Sequence, residues 1–242
     1  MSEPLLPELD DVPDIRHLAI EDDTPVDNLI SEKQQRLLTE PLYSNPAVLA
    51  PSTFLVAANV GVFYGIRQPP LVPDVFLSLD VTVPQDWTDK KNRTYFIWEF
   101  GKPPDVAIEI VSNREGNELG RKLRDYARIG ISYYVVFDPL HQLGTTLLQV
   151  FEATAAQYHP RSDGWLEAIG IGLTLWDGAF EGKTDRWLRW CDRQGQVIPT
   201  GAELAAQERQ RAEQERQRAE QAEARAAALA ERLRAMGIDP DV

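Results

Sequence analysis

Asp105-Val106-Ala107-Ile108-Glu109-Ile110-Val111 is the stretch that decides the fold, with Glu118 to Ile129 behind it and Ile131 to Phe137 behind that. The first and third runs are short and apolar almost throughout, so both read as strands buried on two faces. Between them Leu119, Leu123, Tyr126 and Ala127 recur at i, i+4, i+7 and i+8, one face of an amphipathic helix. Gly130 supplies its C-terminal stop. The reading is strand–helix–strand. Side chains alternate along a strand, so Asp105, Ala107, Glu109 and Val111 share one face and Val106, Ile108 and Ile110 the other.

Upstream, Asn28 to Leu38 reads as a short helix ended by Pro41 and Pro46. Phe54 to Tyr64 is apolar without a decisive period, helix or strand. Val72 to Val83 reads as a strand opening at Pro73, 84–94 as a polar loop, and Tyr95 to Phe100 as a short aromatic strand or turn. Downstream, strands are expected around Thr146–Ala153 and Trp165–Ile171, and Trp187, Leu188 and Trp190 close the globular part. Pro199-Thr200-Gly201 reads as a hinge. Beyond it Gln207 to Glu213 repeats identically as 214–220, and Ala205, Ala212, Ala219, Ala226 and Leu233 stand seven apart. Glu208 and Glu215 charge the partner positions, so the seam is thin. This is a long solvated helix with weak pairing capacity rather than a strong coiled-coil dimer. A homodimer through it is the oligomer the sequence offers. Three regions follow: an acidic, poorly ordered arm (1–27), an α/β (α+β) domain with a mixed sheet flanked by helices (28–198), and a charged helical tail (199–242).

Cys191 is the only cysteine, which excludes an intramolecular disulfide and a cysteine metal cage. No run approaches about 18 apolar residues, so no membrane span is expected. The acidic, Pro-rich start is unlike a signal peptide, and a cytoplasmic location is the expectation. The net charge of −13 sits awkwardly with a nucleic-acid partner. Residues 1–32, however, carry ten acidic side chains against Arg16 alone, which is −9 of that total. The remainder is close to balanced and leaves room for a local basic surface. The arm reads as a solvated tail, the alternative being an autoinhibitory mimic of DNA.

Glu109 stands mid-strand in apolar surroundings, where a carboxylate must be paired or bind a metal. A buried ion pair with a nearby Arg or Lys is one reading. Carboxylates converging with a lysine, as a Mg²⁺-dependent phosphodiester-cutting site requires, are the other. Turning about 100° per residue from Leu119, Lys122 falls at about 300°, at the margin of the core-facing stripe. Arg121, Arg124 and Arg128 fall at about 140–200°, toward solvent. Lys122 either reaches the face bearing Glu109 or snorkels past the core edge. Asp74, after Pro73, opens the earlier strand; Asp80 is an alternative on the same run. His17, His141 and His159 are isolated, and no phosphate-binding glycine loop is present.

These residues carry a resemblance. Pro104 to Ser112, then Lys122, Tyr126 and Gly130, then Tyr133-Tyr134-Val135-Val136-Phe137-Asp138-Pro139, preceded by Val72-Pro73-Asp74-Val75, resemble the Uma2 (DUF820) family of the PD-(D/E)XK nuclease superfamily. The tail ending Met236-Gly237-Ile238-Asp239-Pro240-Asp241 is similar to those of many cyanobacterial members. The resemblance covers roughly 28–195. It implies a restriction-endonuclease-like fold and a metal-dependent endodeoxyribonuclease, a hydrolase acting on DNA. Asp74 is implied as the motif aspartate and Glu109 as its second acid. The superfamily lysine belongs two residues after Glu109, where Val111 stands; Lys122 on the helix is implied as its substitute. Mg²⁺, or Mn²⁺, is the implied cofactor, held by Asp74, Glu109 and the Ile110 carbonyl. Glu32 and Asp105 are further candidates. The competing expectation is an inactive nuclease-fold binding or assembly protein that uses its C-terminal helix.

Overall fold

The computed structural model describes residues 28–112 and 117–237. The expected N-terminal arm (1–27) and the last five residues lie outside the described residues. Two compact units meet at Ile198 and Pro199.

The first unit is built on a six-stranded mixed sheet. Its strands are β1 (Phe54–Ala58), β3 (Val75–Leu79), β5 (Val106–Ile110), β6 (Tyr133–Phe137), β7 (Leu148–Thr154) and β8 (Gln157–Pro160), in spatial order β1-β3-β5-β6-β7-β8. Only β5 and β6 run parallel; the other pairings are antiparallel. This follows from the connections. The segment from β5 to β6 holds helix α3 (Leu123–Ile129), the crossover that a parallel pair requires. The two central strands are buried at every position.

Alternation divides the sheet into two faces. Val75, Leu77, Val106, Ile108, Ile110 and Val135 enter one core with Leu38 and Leu42 of α1 (Leu29–Ser44). A three-stranded antiparallel sheet completes that layer: β9 (Trp165–Leu166), β10 (Ile171–Phe180) and β11 (Lys183–Cys191). Ala107, Val111, Tyr134 and Val136 point the other way and pack with Tyr126 of α3. A two-residue parallel pair, β2 (Val62–Phe63) with β4 (Tyr95–Phe96), carries Val62 and Tyr95 onto Phe76 of β3. A short helix, α2 (Ile97–Phe100), follows β4 directly.

Several expectations need correction. Pro41 does not end α1: it lies inside the helix, and Asn45 closes it by donating from both its backbone and its side chain to the Pro41 carbonyl. Pro41 and Leu42 are buried, so packing outweighs the hydrogen bond the proline forgoes. The undecided run 54–64 forms strands. The strand expected over Val72–Val83 is confined to Val75–Leu79, and Tyr95–Phe100 turns into helix after two residues. The hairpin β10–β11 went unread because its outer half is exposed and mixed in character. Its tip, Glu181-Gly182, has positive φ at both residues, as a two-residue hairpin turn requires.

The second unit contains α4 (Gly201–Ala235). Where a hinge was expected, Thr200 and Glu203 form a reciprocal capping box that starts the helix. None of its residues is buried, and Leu229 and the capping Met236 are exposed.

Candidate active site

Register brings the two acids together. In the antiparallel pairing of β3 with β5, Val75 stands opposite Ile108 and Phe76 opposite Ala107. One step further along, Asp74 faces Glu109. Asp74 Oδ2 accepts from the Ile110 amide at 2.6 Å, which ties the aspartate to the backbone immediately after Glu109. Asp74 Oδ1 lies 3.5 Å from Gln35 Nε2. Gln35 also exchanges hydrogen bonds with the Asn59 side chain, and the Asn59 amide donates to the Asp74 carbonyl. Gln35 is held there because its neighbour Gln34 clasps Leu188 of β11 through both amide groups.

Glu109 is 2% exposed. Lys122 Nζ donates to its Oε2 at 2.8 Å and the Tyr126 hydroxyl to its Oε1 at 2.7 Å. Burial pushes the Glu109 carboxyl up to about 8; Lys122 and Tyr126 pull it down without prevailing, and the like charge of Asp74 adds to the rise. Burial works against the Lys122 ammonium, but Glu109 outweighs it and the lysine is raised too. Both members of the pair are thus shifted toward holding their protons. Burial, then Glu109, likewise raises the Tyr126 phenol, which stays a donor.

Lys122 arrives by a route the helical wheel did not anticipate. Residues Glu118–Lys122 form a π-helical turn ahead of α3. The Lys122 amide bonds to the Asn117 carbonyl, five residues back, and the Asn117 side chain caps the Arg121 amide. Angles counted from Leu119 at the α-helical period slip here. Leu119, placed in the core by that count, is exposed. Gly120 makes the turn feasible: a Cβ there would stand 1.9 Å from Asn117 Oδ1.

The other candidates lie apart. Glu32 pairs with Arg36 at 2.6 Å on the exposed side of α1. Asp105 pairs with Lys102 and accepts from the Leu79 amide, both at 2.7 Å. Asp80 follows the far end of β3, exposed and with positive φ. Sequence reading missed Gln35, Asn59 and Glu118, and gave Tyr126 no role. The signal for Gln35 was present: a polar residue one turn before Leu38 on the same helix face.

Glu109 and Asp74 are hard oxygen donors held together against mutual repulsion, which suits a divalent cation. Among the described residues no group of three or more His, Cys, Asp or Glu side chains gathers for a metal. An ion here would rest on the two carboxylates, the Ile110 carbonyl and water, as Mg²⁺ readily does. A cleft of about 460 Å³ lined by Tyr64, Pro70, Arg121, Lys122 and Tyr126 includes the two residues that hydrogen-bond Glu109, though neither acid lines it. Arg121 of that lining stands on the π turn, and the exposed Arg128 of α3 lies over the ring of Tyr64, another lining residue.

A family model described as "Putative restriction endonuclease", Uma2, matches residues 20–168, and no curated protein matches the chain. With more than half of its length matched, the chain belongs to the Uma2 family.

Proposed function

We propose that this Uma2-family chain is a Mg²⁺-dependent endonuclease that hydrolyses DNA phosphodiester bonds. The observation that supports the reading is the meeting of Asp74, Glu109 and Lys122, three residues from separate parts of the chain, with Lys122 and Arg121 lining an open cleft. Asp74, Glu109 and the Ile110 carbonyl would hold the cation. When bound, that cation supplies Lewis acidity, lowering the pKa of the attacking water and offsetting phosphate charge. Lys122, charged and part-exposed, orients the water or stabilises the charge that develops on phosphorus-bound oxygen. Tyr126 fixes one oxygen of Glu109 so that the other faces Lys122. The exposed Arg121 and Arg128 would take backbone phosphates. Arg121 and Arg128 share Asp125 in ion pairs at the surface, and such pairs exchange easily, being worth roughly 0–1 kcal/mol.

The test is plasmid nicking with Mg²⁺ against EDTA. Wild type should nick only with metal, and Glu109→Ala and Lys122→Ala should not nick at all. Undiminished cleavage by both variants would sink the assignment. A second reading, a nuclease fold kept as a binding module, is favoured by α4, a long helix with no buried residue of its own. A chain of that kind would neither bind Mg²⁺ through Asp74 and Glu109 nor nick.

A further inference from the structure

Glu118 is a buried acid for which the mechanism above has no use. Its side chain is 7% exposed, one carboxylate oxygen lies 3.8 Å from Lys122 Nζ, and the other has no hydrogen-bond partner among the described residues. An unpartnered polar oxygen buried in such a place is costly and calls for an explanation. The residue is not loosely held. The Tyr134 hydroxyl donates to its carbonyl at 3.0 Å, and the π turn fixes its position relative to Lys122, four residues on.

The ammonium of Lys122 thus stands between two carboxylates, bonded to Glu109 at 2.8 Å and about one ångström short of a bond to Glu118. The two acids differ in their duties. Glu109 is a cation ligand in the reading proposed above, and a carboxyl oxygen that turns to a divalent ion is no longer free to accept from the ammonium. A lysine anchored by Glu109 alone would then be released into the cleft just when it is needed in place. From this geometry we infer that Glu118 is a positioning residue, the second anchor to which Lys122 transfers when Glu109 engages the cation. The inference rests on the nuclease reading. It explains why the lysine is delivered by a turn that carries a third acid with it.

The test uses the full chain, Glu118→Gln and Mg²⁺ alone as the probe, with ¹⁵N NMR selective for lysine ammonium groups. In wild type the slowly exchanging Lys122 signal should survive saturation with Mg²⁺. In Glu118→Gln it should be present without metal and lost with it. Nicking should fall at least tenfold in kcat with KM for DNA unchanged, and the midpoint of thermal unfolding should not drop. A purely structural role would instead lower that midpoint and leave the signal alone. A variant that keeps the Mg²⁺-bound Lys122 signal and its kcat overturns the inference. If Glu118→Gln fails to fold, Glu118→Asp takes the same measurements, with smaller losses expected and the same refutation. Wild type that neither binds Mg²⁺ nor nicks refutes the nuclease reading itself, and this inference with it.

Discussion

Glu109→Gln, examined without metal, isolates the cost of holding an acid at the floor of the site. The ordinary glutamate value is 4.5 and burial raises Glu109 to about 8. The folded chain therefore keeps a proton that the unfolded chain has released. Stability from this group is fully present below 4.5 and is lost as pH rises through 8. The loss accumulates to roughly 5 kcal/mol, about 1.4 kcal/mol per pH unit. Lys122 is also raised, so its contribution disappears only above its ordinary 10.5, outside the window. For a domain of this size about 1 kcal/mol moves the unfolding midpoint by roughly 2–4 °C, so the swing is about 10–20 °C.

The assay is thermal unfolding by circular dichroism in EDTA from pH 5 to 8.5. Wild type should lose stability relative to Glu109→Gln by that amount across the range. Parallel profiles would refute the argument, because the glutamate would then be titrating as an exposed acid does. Adding Mg²⁺ extends the test. A cation that needs the carboxylate must displace its proton, so apparent affinity should rise nearly tenfold per pH unit below about 8 and level off above it. Calorimetry in buffers of different ionisation enthalpy should record close to one proton released per ion bound.

Lys122→Met should abolish nicking while the domain stays folded, because Glu109 can keep a proton when its partner is gone; loss of fold in circular dichroism would contradict this. Tyr126→Phe removes the hydrogen bond to Glu109 Oε1 and should destabilise the domain by about 1–3 kcal/mol in urea unfolding, with a lower kcat. Gly120→Ala should displace Asn117 from the Arg121 amide and disturb the π turn, lowering kcat far more than it lowers DNA affinity measured with Ca²⁺.

The centre of the fold was legible because its signals are local. β5 and β6 are continuous apolar runs, α3 has a clean stripe, and Gly130 closes it in the left-handed region that glycine adopts freely. Glu109 and Lys122 could be singled out for the same reason. What lay hidden depends on pairing and on tertiary packing. The register that sets Asp74 opposite Glu109 belongs to β3 and β5 together. The continuation of α1 through Pro41 is decided by what Pro41 packs against, and Gln35 enters the site only because Gln34 is fastened to β11. Glu118 looked like an ordinary first-turn acid, since no periodicity distinguishes a π turn from an α turn.

The position of the lysine follows from the burial of β5. Two residues beyond Glu109, on the same face, Val111 is 1% exposed and packs with Ala107, Tyr126 and Tyr134. A lysine there would put its ammonium among those rings, with β3 and β6 closing the flanks of the strand. Desolvation would drive such an amine toward its neutral form and deprive the site of its charge. Lys122 starts instead from the rim. Its head reaches a carboxylate that is 2% exposed, and a third of the side chain stays in contact with water. The ammonium is thereby kept charged and directed at Glu109 from the side on which the cleft opens. A strand lysine and a helix lysine can serve one chemistry, but in this chain the strand position on the Glu109 face is taken by Val111 packed with Tyr126 and Tyr134.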